Sequence, residues 1–349
     1  MRILHLVFSS RLAGSERYCA DLANRQAAAG HEVHVAGAPG SPLAAALDPA
    51  VRFHSFNVFL RGLRVHRFMA KLAPDICHGH LSAACKILGR AAAHHQTVAT
   101  LHVGYKRHQH GRLDGLICVN RGQTRELGDY PGMTRTIPNW LPRMADPDDA
   151  PGLRGQLGLG DDVFLLGAVG RLHASKGMDV LIAAFRASAP ANAALVILGE
   201  GPQRKELEKL CAGDPRIHLP GFRADVGRCL HDLDVFISPS REESFGLAII
   251  EAMSAGLPVI ATAAEGPAEY LRDQPVTLVP TGSVDALGAA IANVHGQFIE
   301  TGLPRIGYDL SSFDPATRLE GITDFYANII GEKQRRSVQL GGEVAVALP

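Results

Sequence analysis

The sequence predicts an α/β protein built from two Rossmann-like, doubly wound domains that face one another across a cleft. Three observations lead there. Short β-branched apolar runs alternate with Ala/Leu-rich helical stretches, the pattern of βαβ units and parallel sheets. The alternation is interrupted by a Pro- and Asp-rich stretch and then begins again. The 349 residues exceed what one ordinary core holds and suit two.

In the first half, Arg2–Phe8 reads as a strand, Ser15–Ala29 as a helix stopped by Gly30, and Glu32–Ala36 as the next strand. Asp75–His78, Thr97–His102 and Leu116–Val119 follow as short strands, and a helix contains Gln123–Leu127. Thr136-Ile-Pro-Asn-Trp-Leu-Pro142 is a Pro-rich exit, and Met144–Pro151 marks the domain boundary. In the second half the predicted strands are Asp162–Val169, Ala193–Leu198, Arg216–Leu219, Asp234–Ile237, Pro258–Thr262 and Val276–Val279. The expected domains are 1–142 and 143–310, with a helix in 311–331 and a flexible tail over 332–349.

Composition narrows the class. The chain is 46% apolar and 20% charged, as soluble globular proteins are, and its longest apolar runs fall short of a membrane span. Six cysteines, Cys19, Cys77, Cys85, Cys118, Cys211 and Cys229, are scattered without a Cys-x-x-Cys pair. That argues for a reducing cytoplasm and against a disulfide frame or zinc site. The sixteen histidines fall singly or in unrelated pairs, and no metal is expected. A net charge of zero hides a basic half, +9 over residues 1–140, and an acidic half, −9 over the remainder. The basic excess concentrates over Arg52–Lys71, where Arg52, Arg61, Arg64, Arg67 and Lys71 are interleaved with Phe56, Val58, Phe59, Leu60, Leu63, Phe68 and Met69. This segment reads as an interfacial surface for anionic lipid, as a solvated basic helix, or as a groove for an anionic acceptor. No nucleic-acid reader accompanies it.

The most informative stretch is Ser238-Pro-Ser-Arg-Glu-Glu-Ser-Phe-Gly-Leu-Ala-Ile-Ile-Glu-Ala-Met253. It follows a short buried strand and carries Glu243 and Glu251 across a loop-to-helix junction. A helix N-terminus opened by Gly246 suits phosphate, and carboxylates beside it accept hydrogen bonds from sugar hydroxyls. Taken alone, two glutamates around a surface helix are usually solvated charge. The other notable residues, however, also fall at predicted strand ends: Gly14, His102, Arg171, Lys176, Glu200, Gly221. Arg171 and Lys176 suit a diphosphate leaving group, whose developing charge they neutralise. No Gly-x-Gly-x-x-Gly follows the first strand, and neither a Walker loop nor a Gly-x-Ser-x-Gly elbow is present.

In order, the motifs are Ala13-Gly-Ser-Glu16, Gly30-His-Glu-Val33, Pro74-Asp-Ile-Cys-His-Gly-His80, Thr100-Leu-His102, Ile137-Pro-Asn139, Gly170-Arg171, Lys176-Gly177, Leu198-Gly-Glu-Gly-Pro202, Gly221-Phe222 and Glu243 through Glu251. Together they resemble glycosyltransferase family 4, retaining enzymes of the GT-B fold that use nucleotide-sugar donors. The resemblance spans nearly the whole chain.

The resemblance implies that Arg171 and Lys176 bind the donor diphosphate, Glu243 contacts the donor sugar, and Glu251 holds the ribose. Backbone groups of Phe245, Gly246 and Leu247 would support phosphate or sugar oxygens. Gly170 and Glu200 would belong to the donor site, and Gly221 and Phe222 would border the base. Gly14 would approach the phosphate from the other domain, and His102 would stand near the donor sugar at the acceptor face. A closing helix, about Pro315 to Ile330, would return to the first domain.

Two motifs depart from the family pattern: Ala13-Gly14 replaces a Gly-Gly pair, and Trp140 follows Pro138-Asn139 where Gly is usual. The implied function is metal-independent transfer of a hexose-type sugar from a UDP-, GDP- or ADP-sugar to a glycan or lipid-linked acceptor. Lipopolysaccharide or exopolysaccharide synthesis at the cytoplasmic face of a membrane fits it. The competing expectations are a GT-B nucleotide-sugar epimerase, which keeps the fold but is disfavoured by the Glu243–Glu251 motif and the Arg171/Lys176 pair, and a non-catalytic sugar-nucleotide-binding subunit of a polysaccharide assembly complex.

Overall fold

The computed structural model describes residues 1–142 and 152–345, with side chains as far as Arg335. The boundary read at Met144–Pro151 therefore lies outside the described residues. The chain forms two compact units, Met1–Pro142 with Phe313–Pro349, and Arg143–Ser312.

The first unit is a seven-stranded parallel sheet of β1 (Arg2–Val7), β2 (Glu32–Gly37), β3 (Arg52–Ser55), β4 (Ile76–His80), β5 (Thr97–Leu101), β6 (Gly115–Cys118) and β7 (Met133–Thr136). Their order is β3-β2-β1-β4-β5-β6-β7. Helices α1 (Gly14–Ala28), α2 (Arg61–Leu72), α3 (Leu81–Ala91), α4 (Arg107–His110) and α5 (Arg121–Glu126) connect them. The central strands are buried on both faces, which is why they read as near-continuous apolar runs. Alternation along β1 sends Leu4 and Leu6 into one core and Ile3 into another on the opposite face.

The sequence reading missed β3 and β7. Both are four-residue edge strands, Arg-Phe-His-Ser and Met-Thr-Arg-Thr, with no fully buried residue. An edge strand needs no apolar run, so it leaves no apolar signal. The Arg52–Lys71 segment thus holds a strand, then an exposed turn, then α2.

The second unit is a six-stranded parallel sheet of β8 (Phe164–Val169), β9 (Ala193–Leu198), β10 (Ile217–Gly221), β11 (Val235–Ser238), β12 (Val259–Thr262) and β13 (Thr277–Val279), ordered β10-β9-β8-β11-β12-β13. Its helices are α6 (Leu153–Leu157), α7 (Met178–Ser188), α8 (Arg204–Cys211), α9 (Val226–His231), α10 (Leu247–Ser254), α11 (Glu265–Leu271) and α12 (Val284–Thr301). Phe164, Phe185, Ile197, Ile237 and Ile291 anchor one core. Arg154 of α6 and Asp234, just before β11, are ion-paired at 2.6 Å, and the same carboxylate oxygen accepts the Leu165 N–H at 2.7 Å.

The last helix, α13 (Pro315–Ala345), belongs to the first unit. Ile322, Phe325, Tyr326 and Ile329, spaced as one helical face, are at most 2% exposed and pack with Ile3, Val98, Ile117 and Trp140. The helix continues well into the segment expected to be a tail. Lys333 explains part of that extension: its Nζ donates to the carbonyls of Ala92 and His95 and pairs with Asp114 at 3.0 Å.

Trp140 is buried in the same core. Its ring lies 4.6 Å from Tyr18, and its Nε1–H donates to Asp21.

Candidate active site

In an open parallel sheet, sites form beyond the carboxyl ends of the strands where the strand order reverses. In the second unit that point lies between β8 and β11. The loop after β8 carries Gly170, Arg171 and Lys176, and the loop after β11 carries Glu243, Phe245 and Gly246 ahead of α10. The fold therefore brings the loops of Arg171, Lys176, Glu243, Phe245 and Gly246 together at this reversal, although Lys176 and Glu243 are 67 positions apart.

Backbone bonds lock these loops to one another. Arg241 N–H and Glu242 N–H both donate to Ser175 O, at 2.8 and 3.0 Å. Leu172 N–H donates to Glu200 O at 3.0 Å, and Gly266 N–H to Glu243 O at 3.2 Å. Arg241 forms a two-pronged pair with Asp179 of α7, both bonds 2.7 Å, and this cation holds the Asp179 carboxyl below its ordinary range.

Gly177 makes the close approach possible. Its φ is +62°, and a Cβ there would lie 2.1 Å from Pro239 O. Gly246 caps α10 at φ +86°, a left-handed conformation that glycine adopts without cost. The first N–H groups of α10 have no acceptor within the helix.

Lys176 Nζ and the Glu243 carboxylate form an ion pair, the two side chains 24% and 16% exposed. Sequence reasoning gave them separate tasks, cation for phosphate and carboxylate for sugar; the structure couples them. Arg171 is exposed one residue past Gly170. Glu251 is 2% exposed on α10. Phe245 is buried against Tyr270, whose hydroxyl donates to Phe245 O at 2.8 Å. Gly221 ends β10, and a Cβ on it would lie 2.8 Å from Glu200 Oε1. Glu200 pairs with Arg204 at 3.0 Å. Phe222 is 58% exposed beside them. The Arg241–Asp179 pair and Tyr270 escaped sequence reasoning, the one signal being Arg241 beside the two glutamates.

The first unit holds Gly14 and His102. Its strand order reverses between β1 and β4. Gly14 is the exposed first residue of α1, where the buried Glu16 carboxylate accepts the Ala13 N–H at 3.1 Å. His102 follows β5, and its Nε2 lies 3.1 Å from His80 Nδ1. Burial pushes the His102 pKa down to about 4. Sequence reasoning overlooked the run behind it: His5, His78 and His80 are fully buried, and among the described residues they are the one trio of ligand-type side chains within 4.8 Å of one another.

Two family models match, Glycosyltransferase Family 4 over residues 12–142 and Glycosyl transferases group 1 over residues 163–297. The chain belongs to glycosyltransferase family 4. The lipopolysaccharide core biosynthesis glycosyltransferases LpsD and LpsE of Rhizobium meliloti are similar to this glycosyltransferase. LpsD is 26% identical over 84% of this chain and 88% of its own length. LpsE is 23% identical over 95% and 100%. Among solved structures, Anabaena Alr3699/HepE in complex with UDP and glucose superposes with a TM-score of 0.80 at 22% identity, covering 94% of this chain and all of that one. WaaG, involved in lipopolysaccharide biosynthesis, superposes at 0.63 with 19% identity, over 84% and 90%. The enzyme thus has the GT-B architecture of two Rossmann-like domains. No described helix is long and apolar enough to cross a membrane.

Proposed function

We propose that this glycosyltransferase moves a hexose from a nucleotide-diphosphate donor to a glycan or lipid-linked acceptor with retention at the anomeric carbon. One observation carries the reading: Arg171, Lys176, Glu243 and the start of α10 converge on the strand-order reversal of the second unit. The donor diphosphate meets Arg171, Lys176 and the N–H groups of Gly246 and Leu247. Glu243 turns to the sugar hydroxyls, Glu251 to the ribose, and Phe222 with Gly221 borders the base. As the sugar–phosphate bond breaks, negative charge grows on the departing diphosphate, and two cations and a helix end stabilise it. These cations supply the charge that a divalent metal supplies elsewhere, and transfer proceeds without one.

UDP is the favoured nucleotide, supported by HepE's complex with UDP and glucose. The similarity to LpsD and LpsE supports a lipopolysaccharide-type acceptor. Docking on an anionic membrane fits that acceptor: Val58, Phe59, Leu60 and Leu63 are 80%, 71%, 54% and 47% exposed, and Arg61, Arg64 and Lys71 accompany them.

Thermal denaturation against UDP, GDP, ADP and their sugars tests the donor. A bound nucleotide at a hundred times its Kd adds about 2.7 kcal/mol. Product stereochemistry by NMR then tests retention. A chain stabilised by no nucleotide, or an inverted product, sinks the reading.

A further inference from the structure

Behind His102 runs a chain of buried side chains that the proposed transfer leaves unexplained. His102 Nε2 is 3.1 Å from His80 Nδ1, His80 Nε2 is 3.1 Å from His5 Nδ1, and His5 Nε2 is 2.6 Å from Gln26 Oε1. A branch leaves the same amide: Gln26 Nε2 lies 3.4 Å from the Tyr326 hydroxyl, that hydroxyl 2.5 Å from His78 Nδ1, and His78 Nε2 2.8 Å from Thr100 Oγ1. The rings of His80 and His102, and of His5 and His80, are stacked at 5.4 and 5.3 Å.

A neutral imidazole has one N–H and one lone pair. A line of them therefore points in a single direction, and whatever fixes one end fixes every member. We propose that the Gln26 amide sets, through His5 and His80, the tautomer of His102, with the proton on Nε2 and the lone pair on Nδ1.

The direction follows from the Gln26 end. The atom facing His5 Nε2 at 2.6 Å is the amide oxygen, which can only accept, so His5 Nε2–H donates to Gln26 Oε1. His5 Nδ1 then accepts from His80 Nε2–H, and His80 Nδ1 accepts from His102 Nε2–H. The amide's N–H donates to Tyr326, Tyr326 O–H to His78 Nδ1, and His78 Nε2–H to Thr100, so the branch also runs in a single direction from the amide. Neutrality is required, since an imidazolium would set donor against donor, and burial supplies it: His5 is pushed down to about 4, and His78 and His80 fall well below their ordinary value.

The consequence rests on the transferase reading. His102 is partly exposed, and none of the bonds recorded among the described residues engages its Nδ1. It then accepts a hydrogen bond from a substrate hydroxyl. In the reversed chain Nδ1 would donate instead. Gln26, His5 and His80 are positioning residues; no proton moves in this scheme.

The test is long-range proton–nitrogen NMR on the full chain with labelled histidine, at about pH 8 and without donor or acceptor. Native protein shows His102 wholly as the Nε2–H form. In Gln26→Met or His5→Leu, with folding checked by Trp140 fluorescence, His102 becomes a mixture in which the Nδ1–H form is detected beside the Nε2–H form. A native His102 that is mixed or Nδ1–H overturns the proposal, as does a Gln26→Met protein that folds and keeps the native tautomer. The native spectrum decides the direction even if both variants fail to fold. A native His102 wholly in the Nε2–H form in a protein inert toward every donor would support tautomer control and sink only the donor-site reading.

Discussion

Lowering the pH from about 8 to about 5.5 should destabilise the first unit by several kcal/mol. His5 is fully buried and His110 5% exposed, and burial sets both pKa values at about 4 against 6.5 when unfolded. For a group depressed in the fold, the stabilisation is complete above the unfolded value and is lost as pH falls toward the folded one, because only the unfolded chain takes up the proton. At pH 5.5 each site then costs about 1.4 kcal/mol relative to pH 8, about 3 for the pair. His78 and His80 act in the same direction. Against a typical total of about 5–15 kcal/mol, that is a large share. Carboxylates held low, such as Glu32 beside Arg2, lose their contribution only nearer their ordinary range, so the window isolates the histidines. The chain's single tryptophan, Trp140, is buried in this unit, so urea titrations followed by its fluorescence report this unit alone. A midpoint that is flat or rises between pH 8 and pH 5.5 would refute the reasoning. In His110→Gln the pH dependence should shrink by about one proton's worth.

Lys176→Ala and Arg171→Ala should each lower turnover by roughly two decades or more, the range for losing a partner of transition-state charge; near-normal steady-state rates in both would remove them from catalysis. Gly177→Ala should destabilise the second unit by about 2 kcal/mol or more, since left-handed backbone and a Cβ clash with Pro239 O act together; calorimetry showing an unchanged transition would contradict that. Asp234→Ala should cost about 1–3 kcal/mol, because the Leu165 N–H loses its acceptor while Arg154 keeps its three backbone carbonyls; urea midpoints read by circular dichroism would show it.

How much could be read from the sequence depended on whether an element's environment left a chemical trace. β9 was found to the residue because its six positions are all buried. The edge strands β3 and β7 left none, being half-solvated and polar. The sites followed the same logic. Strand-then-motif order placed Arg171, Lys176 and Glu243 at strand ends, and the reversal of strand order in each sheet then brought the relevant loops together. Partnerships were not legible. Nothing in linear spacing says that Lys176 meets Glu243, or that Arg241 reaches back to Asp179. The histidine line was hidden for the same reason: His5, His80 and His102 look unrelated until parallel register sets β1, β4 and β5 side by side.

The first unit is assembled from both ends of the chain, and that has a consequence for biosynthesis. The face of its sheet holding Ile3, Val98 and Ile117 is covered by Ile322, Phe325, Tyr326 and Ile329, which leave the ribosome more than three hundred residues after β1. Until then the nascent first unit presents an open apolar surface to chaperones, while the second unit already has its whole sheet. A stop codon shortly after residue 312 would therefore damage the half of the protein made first. The second unit, complete in its own stretch of sequence, would be the part that survives.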